Sequence, residues 1–218
     1  MIKTLKSIIK NVCFLLILLK IGLLSAQPYP SKKIVVIDPG HGGIDPGAIG
    51  LHNSEKDITL HIALELIKWN SILLKKELDI YLTRYSDTLI SLSDRSLIAK
   101  KLKAEIFISI HCNASYRNAK GIEVFITKRK DVYHAASYHL AQSILEEFQY
   151  NLNFISRGHK TANFQVLSQS IGYYPAILIE TGFITHKDEA LYFSRAHHIK
   201  ALALAILMGL KTHLNITL

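Results

Sequence analysis

The stretch from Lys33 to Gly50 constrains the fold more than any other part of the chain. After Lys33 it has four β-branched apolar residues, Ile34–Ile37, and then changes abruptly to Asp, Pro, Gly and His. A continuous apolar run of this kind is typical of a strand buried on both faces of a parallel sheet. Pro39 donates no backbone hydrogen bond and the following glycines favour a tight loop, so the strand ends here. We therefore expect His41 at the carboxyl end of a strand, where ligands bind in open α/β sheets; a histidine that only caps a turn is the alternative.

The amino terminus predicts export to the periplasm or cell envelope. A lysine-containing segment precedes the apolar run Val12–Leu19, and small residues allow cleavage after Ala26. This layout is typical of a secretory signal peptide. A lysine interrupts the apolar stretch, which is shorter than the roughly 20 residues of a spanning helix. We expect a signal peptide over 1–26, a short linker over 27–32 and one folded domain over 33–218; an uncleaved membrane anchor is the alternative.

The charge balance narrows the class of partner. Without residues 1–26 the chain keeps 22 basic and 17 acidic residues, a net charge of +5. This mild excess suits an anionic polymer or a membrane surface through long-range attraction. It is too weak and too dispersed for nucleic-acid binding, and the sequence has no basic stripe with interleaved aromatic residues. Cys112 is the one cysteine outside 1–26, so no internal disulfide can form.

Strand-like and helix-like segments alternate along the rest of the chain, which predicts a three-layer α/β sandwich. We expect a mostly parallel or mixed central sheet of about six strands with helices on both faces. The segment 121–127 alternates apolar and polar residues, as an edge or half-exposed strand would. The helix over 54–73 has one predicted apolar stripe, because apolar residues recur at spacings of three and four at Ile58, Ile62, Leu66, Trp69 and Leu73. In the helix over 93–104 we expect Leu97 and Ala104 to face inward. The predicted helices are 54–73, 93–104, 133–149 and 199–214, and the predicted strands are 34–37, 79–83, 105–110, 121–127, 164–167 and 175–179.

Three predicted strand ends bring His41, His111 and Glu180 to one edge of the sheet, and Glu55 begins a helix beside His41. Two imidazoles and a carboxylate match a catalytic zinc site, which keeps a fourth position for water. A carboxylate left over beside the metal can take a proton from water and pass it to a leaving amine, which is typically worth roughly 10²- to 10⁴-fold. The residues therefore suffice for metal-assisted hydrolysis of an acyl bond. Their spacing leaves open which glutamate binds the metal.

Three neighbouring residues have two interpretations each. Adjacent residues on a strand point to opposite faces, so Cys112 beside His111 is predicted as a buried thiol; a ligand or a nucleophile is the alternative. Asp38 and Glu123 are candidates to support the metal-binding histidines from behind. The alternative is that both only form hydrogen bonds within loops.

Nine short blocks of the chain carry a family resemblance. They are IVVIDPGHGG (34–43), DPGA (45–48), SEK (54–56), LTR (82–84), DR (94–95), FISIHCNA (107–114), GIEVF (121–125), RGHKTANFQVL (157–167) and ILIETGFITHKDE (177–189). With these blocks in this order, the chain strongly resembles the zinc-dependent N-acetylmuramoyl-L-alanine amidases, the bacterial cell-wall hydrolases of the amidase-3 family. The resemblance runs from about Ile34 to the carboxyl terminus, and so many ordered blocks are highly specific.

The resemblance implies one zinc ion bound by His41, Glu55 and His111, with Glu180 as the catalytic acid/base. It implies that residues 33–218 form an amidase domain. The family cleaves the amide bond between the lactyl group of N-acetylmuramic acid and the L-alanine of the peptidoglycan stem peptide. An anionic polymer outside the cytoplasm agrees with the predicted export and the mildly basic charge.

Three further residues are predicted to bind the substrate. Asn113 follows His111 closely and can hydrogen-bond the substrate or brace its loop. Arg157 and Asn163 lie in the block that, by resemblance, lines the substrate groove. A cationic fork suits the carboxylates of a stem peptide; a surface salt bridge is the alternative for Arg157. His159 has no assigned role.

The resemblance also sets expectations about partners. Some relatives carry a helical insertion after the strand equivalent to 121–127, which blocks the zinc until an activator removes it. Here only 128–132 separate that strand from the next predicted helix, so we expect an open site in a monomer, with an activator or division protein as an optional partner. Two other functions compete with the amidase. One is a zinc peptidase acting within the stem peptide, and the other is a peptidoglycan-binding protein without activity.

Overall fold

The computed structural model describes residues 9–16, 19–20 and 32–217. The chain divides into two compact units, Met1–Lys32 and Lys33–Leu218. The predicted signal peptide and linker lie outside the described residues, apart from the two helical pieces at 9–16 and 19–20 and residue 32. No helix within the described ranges is long and apolar enough to cross a membrane.

The second unit is an α/β sandwich around a six-stranded mixed sheet, as predicted from the alternation of strands and helices. Its strands follow the spatial order β2-β1-β3-β6-β4-β5. The four strands β2, β1, β3 and β6 run parallel, β4 runs antiparallel to β6, and β5 runs parallel to β4. The strands are β1 (Lys33–Pro39), β2 (Leu78–Leu82), β3 (Ile106–Asn113), β4 (Ile122–Thr127), β5 (Ser156–Ala162) and β6 (Ala176–Phe183), and the helices are α1 (Glu55–Leu73), α2 (Leu92–Lys101), α3 (His134–Asn151), α4 (Gln165–Ser168), α5 (Lys187–Phe193) and α6 (Ala196–His213).

Both faces of the sheet are covered, because successive side chains of each strand point to opposite sides. Val35 and Ile37 of β1 belong to the larger apolar cluster, which includes buried residues of α1, α3 and α6. Val36 between them belongs to the second cluster, with Ala99 of α2 and Phe107 of β3. The continuous apolar run of β1 therefore reflects burial on both faces.

Helix α1 is held by the predicted apolar stripe. Ile58, Ile62 and Leu66 are buried, and Trp69 is partly buried and donates its indole N–H to the carbonyl oxygen of Lys200 at 2.9 Å. The acidic residues of its first turn suit the positive end of the helix dipole. This packing places the first turn of α1 next to the loop after β1.

The prediction that 121–127 is an edge or half-exposed strand is wrong. Strand β4 lies between β6 and β5, and all but one of its residues are buried. Its acidic residue, Glu123, is buried because side chains from other elements donate hydrogen bonds to it. The edge strand on this side of the sheet is β5, and β2 is the other edge. Strand β5 was not predicted because its polar sequence contains no apolar run.

Two other local predictions are wrong and one helix was missed. The segment 164–167 is not a strand; Gln165–Ser168 forms a short helix, and a brief apolar run does not distinguish the two. Leu97 does not face inward and is 48% exposed, because α2 turns Arg95 and Ala99 toward the sheet instead. Helix α5 is too short for its apolar period to be recognised.

The packing of α1 predicts a large difference between two isoleucines of the same helix. Ile62→Ala should lower the free energy of unfolding by about 2–5 kcal/mol, because Ile62 is fully buried and the change leaves a cavity. Ile72→Ala should change it by no more than about 0.5 kcal/mol, since Ile72 is 66% exposed. Urea unfolding of both variants measures the difference, and equal effects would contradict this account of the core.

Candidate active site

Three secondary-structure elements and one loop bring the predicted residues to the same edge of the sheet. His41 lies in the loop just after β1, with a left-handed backbone (φ 60°). His111 lies in β3 and is paired in register with Glu180 of β6. Glu55 is the first residue of α1. The four residues on which the sequence predicted the chemistry to depend are therefore neighbours.

His41, Glu55 and His111 form a group that can hold one metal ion. Glu55 Oε1 lies 2.8 Å from His111 Nδ1 and 3.1 Å from His41 Nε2. One possible ligand atom from each residue lies within 4.8 Å of the other two. Two imidazole nitrogens and a carboxylate oxygen are a donor set typical of catalytic zinc sites.

The Glu55 carboxylate is braced by two backbone donors from different elements. Its Oε2 accepts the N–H of Ala48 at 2.8 Å, and its Oε1 accepts the N–H of Cys112 at 3.0 Å. Burial opposes the charge of this carboxylate, but hydrogen bonds with His111 and His41 hold the pKa of Glu55 far below its usual range. Glu55 is therefore an ionised group in a fixed position.

Asp45 holds the other side of the His41 ring, a role that the sequence did not reveal. Asp45 Oδ2 lies 2.8 Å from His41 Nδ1, and Asp45 Oδ1 accepts the N–H of Gly47. Burial by itself would lower the pKa of His41, but the hydrogen bonds with Glu55 and Asp45 outweigh it and raise this pKa to about 8. A carboxylate on the far nitrogen fixes the ring orientation of a metal-binding histidine. The available signal was an acidic residue four positions after the histidine.

Asp38, one of the two residues proposed to support the histidines, instead stabilises the end of β1 and the loop after it. It is fully buried, and its carboxylate accepts hydrogen bonds from Arg95 Nη1 (2.8 Å) and from the hydroxyls of Thr83 (2.6 Å) and Ser109 (2.7 Å). Arg95 also donates to the carbonyl oxygen of His41 at 2.7 Å. Asp38 thus supports the backbone of the loop through Arg95, and within the described residues neither imidazole donates to its carboxylate.

Glu180 supplies a second carboxyl group, on the strand paired with that of His111. Its Oε2 is buried and accepts no hydrogen bond from the described part of the chain. Burial raises the pKa of Glu180 to about 7; the charges of Glu55 and Glu123 act in the same direction, while His111 opposes them. A carboxyl group with a pKa near neutrality can both accept and donate a proton.

The glycine loop is shaped around the triad. A β-carbon at Gly40 would collide with the ring of His111, and a β-carbon at Gly47 would collide with Glu55 Oε2 and the ring of His41. This close cradle and the unpartnered oxygen of Glu180 fit a zinc ion bound by the three residues.

Of the three predicted substrate-binding residues, Asn113 and Arg157 form hydrogen bonds with Glu123, whereas Asn163 is exposed to solvent. Asn113 braces its surroundings, since its Nδ2 donates to Glu123 Oε1 at 2.8 Å and its Oδ1 accepts the N–H of Ala114. Arg157 donates from Nε to Glu123 Oε2 at 2.8 Å, while Asn163 is exposed just after β5. Direct contacts of these three residues with a substrate stay predictions.

Cys112 is 3% exposed and belongs to the larger apolar cluster, so the predicted buried thiol is confirmed. Burial raises the pKa of this thiol well above its ordinary value. The thiol is therefore protonated and unreactive at neutral pH.

Comparison with known proteins identifies the family. The model of the amidase-3 family, described as N-acetylmuramoyl-L-alanine amidase, matches residues 35–212. The chain belongs to this family. It is 38% identical over 184 residues to the sporulation-specific N-acetylmuramoyl-L-alanine amidase of Bacillus subtilis, covering 84% of this chain and 68% of that protein. It is 35% identical to the probable cell wall amidase LytH of Staphylococcus epidermidis, covering 88% of this chain and 62% of that protein.

The fold of solved amidases agrees with this assignment. The crystal structure of an N-acetylmuramoyl-L-alanine amidase from Clostridium difficile 630 superposes with a TM-score of 0.78 at 34% sequence identity, covering 85% of this chain and 98% of that one. The resemblance inferred from the ordered sequence blocks is confirmed at the level of family, fold and amidase class.

The glycine cradle predicts that an added methyl group weakens metal binding in this amidase-family site. Gly40→Ala should reduce zinc affinity by about 10- to 100-fold, because the methyl group displaces the ring of His111. Competition with a chelating dye measures the affinity. Gly172→Ala is the control, since a β-carbon there meets nothing within 4 Å and strains only a remote backbone with φ 78°. If Gly40→Ala bound zinc with wild-type affinity, the close contact between Gly40 and the ring of His111 would not be needed for metal binding.

The ion pairs of Glu123 predict a loss of stability in acid. Burial opposes its ionisation, but hydrogen bonds from Lys160 and Arg157 outweigh burial and hold the pKa of Glu123 below its ordinary value. This stabilisation is present above the unfolded-state pKa and is lost as the pH falls through the folded-state pKa. The difference in unfolding free energy between wild type and Glu123→Gln should therefore stay constant from about pH 7 to about pH 5 and shrink as the pH falls below the ordinary glutamate pKa of about 4.5.

Urea unfolding at several pH values measures this difference. Glu146→Gln removes the same charge from an exposed position of α3 and is the matched control. Parallel pH profiles for wild type and Glu123→Gln would contradict the prediction.

Proposed function

We propose that this protein is a zinc-dependent amidase that cleaves the bond between the lactyl group of N-acetylmuramic acid and the L-alanine of the stem peptide. The observation that carries the proposal is the convergence of His41, Glu55 and His111 within 4.8 Å, beside Glu180. Membership of the family supports the choice of bond, and the four side chains support the chemistry.

His41, Glu55 and His111 would hold the zinc ion. Zinc, when bound, acts as a Lewis acid that polarises the amide carbonyl and favours ionisation of water near neutral pH. The chain's own contribution is to keep these three groups in place through Asp45, the backbone N–H groups around Glu55 and the glycine loop.

Glu180 would carry the proton between the two halves of the reaction. As a carboxylate it takes a proton from the attacking water while the oxygen of that water bonds to the amide carbon. As a carboxylic acid it then gives the proton to the nitrogen of L-alanine as the carbon–nitrogen bond breaks. The products are a free lactyl carboxylate and a stem peptide with a free amino group. The raised pKa of Glu180 suits both halves of this exchange.

The substrate lies outside the cytoplasmic membrane, so the proposal includes export. Residues 1–26 would direct export as a signal peptide, residues 27–32 would link it to the amidase domain, and peptidoglycan would be the partner that the domain acts on. The net charge of +5 outside 1–26 favours approach to an anionic polymer.

Digestion of purified peptidoglycan tests the function. Zinc-loaded protein should release stem peptides that begin with L-alanine, a chelator should abolish release, and added zinc should restore it; mass spectrometry identifies the products. Free amino acids or shortened peptides would indicate a peptidase instead. Intact peptidoglycan after treatment with folded, zinc-loaded protein would favour a binding protein without activity.

Substituting each glutamate in turn separates the roles of the two carboxylates. Glu180→Gln should bind zinc with wild-type affinity, because Glu180 is outside the ligand triad, and should lower the turnover rate by at least about 10²-fold. Glu55→Gln should lower both the zinc affinity and the turnover rate, because Glu55 belongs to the ligand triad. An active Glu180→Gln protein would rule out the proposed proton carrier.

A further inference from the structure

The strand order determines which charged residues lie next to Glu180 at the edge of the sheet that carries the site. The metal-binding histidines are associated with β1 and β3, and Glu180 follows on the adjacent strand β6. Because β4 runs antiparallel to β6, the beginning of β4 lies at this same edge, and Glu123 is paired in register with Glu180. Strand β5 runs parallel to β4, which places Arg157 near its beginning at the same edge.

Glu123 gathers two cations beside Glu180. It is 4% exposed, and its Oε2 accepts hydrogen bonds from Arg157 Nε at 2.8 Å and from Lys160 Nζ at 2.5 Å. Its other oxygen accepts the amide N–H of Asn113 at 2.8 Å. One carboxylate compensates only one of the two positive charges, so the cluster keeps a net charge of +1.

Both cations retain donors for another anion. The side chains of Arg157 and Lys160 are 36% and 42% exposed. Within residues 32–217, the hydrogen bonds of Arg157 use Nε and Nη1, and Lys160 donates to Glu123 alone. The Arg157 guanidinium lies over the ring of Phe183, and the Lys160 ammonium over the ring of Phe125. The rings and Glu123 hold the two cations on one side, while their exposed sides face solvent.

We infer that Arg157 and Lys160 form a subsite for a carboxylate on the peptide side of the cleaved bond, with Glu123 as the residue that positions both. The inference rests on the proposed function, because it needs a peptide to leave from the site. The proton carrier must face the leaving nitrogen, so the peptide extends from Glu180 toward β4 and β5. The other half of the substrate then lies toward β1, where a cavity of about 290 Å³ adjoins His41 and Leu89.

Distances along the sheet indicate which carboxylate fits. Neighbouring strands are about 4.8 Å apart, so β5 lies about 10 Å from β6. An extended peptide advances about 3.3–3.6 Å per residue, and the hydrogen bonds to Glu123 draw both cations back toward β4. In a stem that continues through the side chain of its second residue, the free α-carboxylate of that residue is the group at this reach. Two cations favour a carboxylate over the corresponding carboxamide, whose N–H donors would face them.

Two synthetic muramoyl tripeptides test the subsite. They differ only at the second residue, a glutamate that is joined to the third residue through its side-chain carboxyl. The α-carboxyl group of this glutamate is a free carboxylate in one tripeptide and a carboxamide in the other. Wild-type, zinc-loaded full-length protein should prefer the carboxylate by about 10- to 100-fold in kcat/KM. Lys160→Gln and Arg157→Gln should lower kcat/KM for the carboxylate substrate and leave the carboxamide substrate nearly unchanged, so the ratio should fall toward one. Lys160→Arg should restore the preference.

Lys128→Gln is the matched control, because it removes one exposed positive charge just beyond the far end of β4. Its selectivity ratio should equal that of the wild type. Equal losses on both substrates in Lys160→Gln, or a wild-type ratio near one, would overturn the subsite and reduce the cluster to a structural salt bridge.

A binding measurement separates failure of the subsite from failure of the proposed function. Calorimetry with zinc-loaded Glu180→Gln protein gives Kd for both tripeptides without turnover, and the same preference for the carboxylate is expected. If the wild type cleaves neither compound, the proposed function fails while the ratio of Kd values still decides the subsite. A ratio near one overturns it.

Discussion

Two buried arginines hold the loop on which the whole site depends. Arg84 donates to the carbonyl oxygens of Pro39 (3.0 Å) and Gly40 (2.9 Å), and Arg95 donates to those of Pro39 (2.8 Å) and His41 (2.7 Å). These carbonyl groups lie where β1 ends, and Thr59 Oγ1 also donates to that of Gly40 at 3.0 Å. A buried carbonyl group without a donor would cost stability. The same bonds maintain the left-handed backbone of His41 and so direct its ring toward Glu55.

Burial of these charges is offset by complete hydrogen bonding rather than by the ion pair alone. Asp38 compensates Arg95 directly, and its carboxylate also accepts the hydroxyl groups of Thr83, just after β2, and Ser109 of β3. A buried pair of this kind adds little to stability by itself but is costly to break, because one charge would remain uncompensated. Arg84, Arg95 and Asp38 therefore fix the backbone of the loop after β1, and none of the three belongs to the group that can hold a metal ion.

The candidate site divides into a part that local sequence reveals and a part that it does not. His41 and His111 each adjoin an apolar strand, so their common position follows from the rule for parallel sheets. The support of His41 by Asp45 depends on the path of the glycine loop. The meeting of Arg157 and Lys160 at Glu123 depends on the reversed direction of β4, and the alternating sequence of that strand carries no sign of its direction or its central position.

The sequence alone determined the buried strand β1, the apolar stripe of α1, the layered α/β architecture and the family, because these depend on local periodicity and on ordered sequence blocks. Tertiary structure decided that β4 is central, that polar β5 forms the edge and that Leu97 faces solvent while Arg95 is buried. Each of these outcomes depends on partners distant in the chain. Hydrogen bonds between strands and charges paired across elements override the local preference of a residue for water or for the core.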